Sequence, residues 1–112
     1  MTQRMLLAGL ALALSIGFTL EQAGGQDQKK SATHTVTIRG FEFFPMHLTV
    51  RAGDTVVWTN EDIVPHTATA KGGFDSKEIA SKKSWTYRAN RKGKSPYICI
   101  YHPTMTGELI VE

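Results

Sequence analysis

The chain has a single cysteine, Cys99, among 112 residues. No disulfide can form within it, and a zinc site built on several thiolates is excluded. A closed site of four Cys or His ligands would have to recruit His34 or His47, and neither has a motif around it. Long apolar runs are also missing. The longest, Met5 to Leu20, falls short of the about 20 residues that span a bilayer. No segment carries a 3.6-residue apolar period, so no amphipathic helix is expected, and there are no repeats or low-complexity tracts. The basic residues have no aromatic platform among them and no recognition motif, which excludes nucleic acid as a partner.

What is present is concentrated near the end. Cys99-Ile100-Tyr101-His102-Pro103-Thr104-Met105 sets a thiolate, an imidazole and a thioether three residues apart, and His66 supplies a second imidazole upstream. Two His and a Cys in a trigonal set with a weak axial Met are the ligands of blue-copper electron-transfer centres, and a soft thioether suits copper rather than zinc. Taken singly, Cys99 in the apolar run Tyr97-Ile98-Cys99-Ile100 reads as core, Met105 as filler and His66 as a loop residue. Together, in the order His, Cys, His, Met with short spacing, they read as one site for one copper ion, with His66, Cys99, His102 and Met105 as metal ligands. His34 and His47 stand in strand-like stretches without a partner and read as solvent-facing or packing residues.

The start of the chain reads as a targeting segment. Arg4 precedes the apolar stretch, and Ala23-Gly24-Gly25 offers the small residues a signal peptidase needs. Residues 1–25 are therefore expected to be a secretory signal peptide, with an uncleaved membrane anchor as the rival reading. Export agrees with the odd cysteine, because a lone thiol in an oxidising compartment needs a reason and metal ligation supplies one. With no lipid-acceptor Cys behind the signal and no twin-Arg pair before it, the remainder is expected to be a soluble monomer, periplasmic or secreted, with no membrane insertion after cleavage.

Residues 26–32 are polar and read as a flexible N-terminal tail, leaving 33–112 as one domain. That domain is a run of short β candidates. Thr33 to Arg39, Leu48 to Arg51 and Ser84 to Tyr87 alternate polar with apolar, whereas Thr55 to Thr59 and Leu109 to Val111 are β-branched or aromatic. Turn signals at Gly40, Ala52-Gly53-Asp54, Asn60-Glu61-Asp62, Lys71-Gly72-Gly73, Gly93 and Gly107 separate them, as an all-β sandwich or barrel requires. Asp75 to Lys83 fits a short helical turn or a loop.

Three stretches carry a resemblance. Phe41-Glu42-Phe43-Phe44-Pro45, then Leu48 to Asp62 with Pro65-His66-Thr67, and finally Cys99 to Met105 followed by Gly107 to Val111, resemble a plastocyanin/amicyanin-type cupredoxin. The two residues between His102 and Met105 match the short ligand loop of the amicyanin pattern. The resemblance implies a Greek-key β-sandwich of about seven or eight strands with copper near one end. It places His66 in the loop after Trp58-Thr59-Asn60, Cys99 at the end of the penultimate strand, and His102 and Met105 in the loop to the last. It also implies a small apolar docking surface at which His102 is the electron's entry and exit point. Many cupredoxins carry Asn directly after the first His, tying the ligand loops together beside the thiolate. Here the residue is Thr67, whose hydroxyl can donate one such bond but not two. Asn60 either compensates or is an ordinary turn residue.

The formal charge is +3, and loss of residues 1–25 removes Arg4 and Glu21 together, leaving the side-chain balance unchanged. Basic residues gather at Lys77, Lys82, Lys83, Arg88, Arg91, Lys92 and Lys94. They fit docking to an acidic redox partner or an anionic surface, although such a run is more often a solvated face. The leading expectation is a soluble one-electron carrier, not an enzyme, working between exported redox proteins such as a dehydrogenase, cytochrome or oxidase. A periplasmic copper-binding or delivery protein is the alternative, and a metal-free interaction domain stands third.

Overall fold

A computed structural model describes Ser15, Gly17 and residues 30–112; the rest of the expected signal peptide, and most of the tail, lie outside the described residues. Seven strands follow in chain order: β1 (Thr33–Arg39), β2 (Glu42–Phe44), β3 (His47–Val50), β4 (Asp54–Asn60), β5 (Ser84–Ala89), β6 (Gly93–Cys99) and β7 (His102–Val111). They make two sheets, ordered β2-β1-β4-β5 and β3-β7-β6. This is the all-β Greek-key sandwich expected of the sequence. Among the described residues no helix is long and apolar enough to cross a membrane.

Alternation explains why these segments are strands. Along β4 every second residue, Asp54, Val56, Trp58 and Asn60, is buried while its neighbours are half-covered, because successive side chains point to opposite faces. The first sheet adds Val36, Ile38 and Phe43, and the second adds Val50, Tyr97, Leu109 and Val111, to one apolar core. Trp58 lies at its centre, with ring centroids 5.3 Å from Phe74, 5.4 Å from Trp85 and 5.6 Å from Tyr97. Asp54 and Asn60, at the two ends of this strand, are buried polar groups with tasks of their own.

At the end away from Asn60, Asp54 accepts the backbone N–H groups of Ala32 and Arg51 and meets His34 Nε2 at 2.9 Å. The Ala32 and Arg51 N–H groups, then His34, hold its carboxyl down at about 2. His34 thus has a partner that its sequence neighbourhood does not reveal, and His47 lies 3.7 Å from Glu108. The stretch from Asp75 to Lys83 forms no helical turn. Its backbone instead bridges the segment after β4, His66 with Ile79 and Thr69 with Asp75. Thr69 in turn exchanges two backbone bonds with Ile98, which covers the edge of β6.

The last strand departs from expectation. His102 and Met105 belong to β7, because pairing with β6 continues to Cys99 opposite His102 and leaves only Ile100-Tyr101 as the connection. The register jumps between Ile98, opposite Thr106, and Cys99, opposite His102. Residues 103–105 therefore bulge out of the ladder, a device that re-aims side chains at a sheet's end.

Below the bulge, Gly107 is required by space rather than by its backbone angle. A Cβ there would lie 2.3 Å from Tyr97 Cζ. Gly107→Ala is accordingly expected to destabilise the copper-free protein by about 1–3 kcal/mol, the cost typical of an overpacked core. Urea denaturation checks this; an unchanged midpoint would show that the Tyr97 ring gives way freely.

Candidate metal centre

Two loops from different sheets meet at one end of the sandwich. His66 follows β4 of the first sheet after a five-residue connection, and its backbone is pinned by the bonds from His66 N to Ile79 O and from Ile79 N to His66 O. Cys99 closes β6 of the second sheet and His102 opens β7. The ligand atoms of His66, Cys99 and His102 all lie within 4.8 Å of one another. Cys99 Sγ is 3.7 Å from His66 Nδ1 and 3.7 Å from His102 Nδ1.

These separations test whether the residues fit a metal. Metal–imidazole and metal–thiolate bonds of about 2.0 and 2.3 Å, opened to a trigonal angle of about 120°, put the donor atoms about 3.8 Å apart. The observed spacing therefore leaves room for one ion among the three donors. One thiolate with two imidazoles is also the trigonal donor set that copper accepts. Met105, the fourth expected ligand, is buried on β7 at the end of the bulge, three residues beyond His102.

Each residue that holds the ligands has a definite bond. Cys99 Sγ is fully buried and takes the backbone N–H of Thr67 at 3.3 Å. Thr67 Oγ1 accepts the N–H of Ile100 at 2.9 Å. Thr67 therefore ties the two loops twice, but not through its hydroxyl proton as expected: the backbone reaches the sulfur and the hydroxyl oxygen reaches the opposite loop. Thr69 Oγ1 lies 3.1 Å from the Asp75 carboxylate, to which it donates. Thr69 Oγ1 is also the donor in its 3.0 Å contact with Thr67 Oγ1, so the Thr67 hydroxyl oxygen accepts from Ile100 and from Thr69.

Asn60 is more than a turn residue. Its amide donates to Val64 O at 2.8 Å and to Ile79 O at 3.0 Å, and its oxygen accepts the Asp62 N–H at 3.0 Å. It shapes the loop that delivers His66, and among the described residues it has no hydrogen bond to a ligand side chain.

Sequence reading missed Asp62 and gave Phe41 no role of its own. Asp62 Oδ2 meets His66 Nε2 at 2.8 Å, on the ring edge opposite the sulfur, so the imidazole donates there and presents Nδ1 inward. The same carboxylate accepts the N–H groups of Gly40 at 2.7 Å and Phe41 at 3.0 Å. Burial pushes its carboxyl up and is the largest single influence, but the Phe41 and Gly40 N–H groups and then His66 together outweigh it and hold the group below the ordinary carboxylate value. Spacing was the available signal: an acid four residues before a ligand His. The ring of Phe41 stands edge-on to His66, centroids 5.3 Å apart, and to His102, 4.8 Å apart. No sequence signal announced that contact, because it depends on how the β1–β2 turn folds over the site.

Asp62→Asn keeps the shape but replaces one accepting oxygen with a donor that cannot receive the His66 and backbone N–H groups. Copper affinity, measured by competition with a chelator, is expected to fall by about 10- to 100-fold, as for other losses of a ligand's hydrogen-bond partner. Unchanged affinity would mean that His66 is held by its backbone alone.

Comparison with known proteins follows the same lines. The Cupredoxin-like domain family matches residues 9–111. Amicyanin of Paracoccus versutus is 30% identical over 83 residues, covering 69% of this chain and 63% of that protein, so the chain spans less than two thirds of its length. Amicyanin-alpha of Methylorubrum extorquens is 30% identical over 83 residues, covering 69% of this chain and 70% of that protein. Among solved structures, a Cu(I) form of an amicyanin variant superposes with a TM-score of 0.68 at 26% identity, covering 71% of this chain and 82% of that one. The copper-containing nitrite reductase of Thermus scotoductus superposes at 0.67 with 26% identity, covering 71% of this chain but 22% of the enzyme. With its sandwich, its clustered His, Cys and His, and these matches, the chain belongs to the cupredoxin-like family and is an amicyanin-like member of it.

Proposed function

We propose that the protein is a soluble one-electron carrier whose copper would be held by His66, Cys99 and His102, with Met105 as the fourth ligand. The observation that carries this reading is the equal spacing of Cys99 Sγ from two imidazole nitrogens, with the His66 ring already oriented by Asp62. Bound there, copper supplies the Cu(II)/Cu(I) couple, which a trigonal set of two imidazoles and a thiolate with a long thioether accommodates in both states.

The chain's own residues do the rest. Thr67 N–H steadies the sulfur, Asp62 steadies His66, and both anchors are formed by the fold rather than by the ion. A site so prepared has little to rearrange when its charge changes, which favours fast exchange. Burial of Cys99 and His66 also speaks for retention of the metal over delivery of it. With Met105 as a ligand, no coordination position stays open for a substrate, which supports a carrier over an enzyme. The loops that bear the ligands expose Ile63 (87%), Ile100 (52%) and Tyr101 (49%), and Phe41 beside both imidazoles is 48% exposed. Apolar side chains at that density fit docking of a redox protein against the copper end, with His102 as the electron's port. The same reading takes residues 33–112 as the copper domain, residues 26–32 as a tail and residues 1–25 as an export signal, so that the carrier works as a monomer outside the cytoplasm.

Addition of one equivalent of Cu(II) to residues 26–112 is expected to give an intense blue thiolate band that bleaches on mild reduction and returns on oxidation. Cys99→Ser is expected to abolish the band. Met105→Gln should keep it and lower the reduction potential. A surviving band in Cys99→Ser would refute the site, and an unshifted potential in Met105→Gln would remove Met105 from the ligands.

A further inference from the structure

The two imidazoles face the same sulfur at the same distance, yet they are held differently. His66 is fully buried and its outer nitrogen is bonded to Asp62. His102 is only half-buried, and among the described residues its ring has no hydrogen bond beyond the sulfur contact. Its ring packs instead against the His66 ring, centroids 5.3 Å apart at 59°, and edge-on against Phe41, at 4.8 Å and 90° between planes, and the same phenyl stands 5.3 Å and 88° from His66.

Phe41 reaches this place at a conformational cost. It and Gly40 form the two-residue turn between β1 and β2, with φ of 61° at Phe41 and 59° at Gly40. Glycine adopts that region freely, but a bulky residue there is an outlier. Strained backbone persists where its surroundings over-determine it, and such places cluster at functional sites. Here the determinant is Asp62, which accepts the N–H of both turn residues. A single carboxylate therefore orients one imidazole directly and clamps the turn whose ring meets the other.

We propose that Phe41 is a positioning residue for the metal site: the turn clamped by Asp62 sets its phenyl against both imidazoles, fixing the orientation of His102 and keeping water from that side of the ion. The inference rests on the copper reading above. A phenyl merely left over at a turn would be replaceable by glycine with gain and no loss, since glycine removes the strain. A positioning phenyl makes the same replacement gain in the backbone and lose at the site.

The test compares the native protein with Phe41→Gly and Phe41→Tyr. In the copper-free proteins, nuclear Overhauser contacts from the residue 41 ring to both imidazoles are expected in the native protein and in Phe41→Tyr. Phe41→Gly should unfold at the same temperature or higher, yet show His102 ring resonances broadened or averaged by motion. After copper loading, Phe41→Gly should lose affinity for the ion by about tenfold or more against a competing chelator. Its potential should fall, because water admitted to the site favours the more highly charged Cu(II) state. Phe41→Tyr should restore both. If Phe41→Gly matches the native protein in His102 line shape, affinity and potential while the blue band is intact, Phe41 has no positioning role and the copper reading stands. If the native protein gives no blue band, the copper reading fails, and the copper-free line shapes still decide whether Phe41 orders His102.

Discussion

The site depends on one short cross-tie: the N–H of Thr67 reaching Cys99 Sγ at 3.3 Å while Thr67 Oγ1 takes the N–H of Ile100 at 2.9 Å. Thr67 follows the first sheet and Cys99 ends a strand of the second, so this pair of bonds is where the two layers are locked at the copper end. Everything nearby is arranged around it. The backbone exchange of Thr69 with Ile98 continues the same contact one step further from the ion. The bulge at residues 103–105 then lets β7 leave the ladder without moving Cys99 or His102. Buried and bonded to the Thr67 N–H, Cys99 Sγ faces the two imidazoles as well as the core.

From that tie outward the site is uneven. His66 is held by a carboxylate, by its own backbone and by full burial, whereas His102 has only ring packing against Phe41 and His66, and partial exposure. The asymmetry suits the two imidazoles to different tasks: the inner one anchors, and the outer one stands where a partner can approach. Asp62 joins them, because its two oxygens serve His66 on one side and the Gly40-Phe41 turn on the other. A charged group that would be costly alone is satisfied by three donors and becomes the element that holds both imidazoles.

Much of this was legible in the residues. Period-two alternation marked β1 to its ends, a β-branched and aromatic run marked most of β4, and the order His, Cys, His, Met pointed to His66, Cys99 and His102, the three residues that the fold brings together. Other features resist such reading for physical reasons. The short β2, three residues long, has no alternation to detect, and it pairs only because the turn at Gly40-Phe41 returns it onto β1. The assignment of His102 to a strand depends on a bulge, which is a property of two paired segments. Thr67 looked like a weakened substitute because side chains were weighed and the backbone N–H was not. Asp62 was hidden inside what read as a turn signal, and the contacts of Phe41 exist only after two loops distant in sequence have met.

The central claim is that the fold, and not the ion, sets the geometry of the site. X-ray absorption at the copper edge, recorded on oxidised and then reduced protein, tests it most directly. The account requires one sulfur and two nitrogen donors at nearly the same distances in both states. Loss of a nitrogen shell on reduction, or a large change in the sulfur distance, would mean that the metal reshapes its ligands and would contradict it.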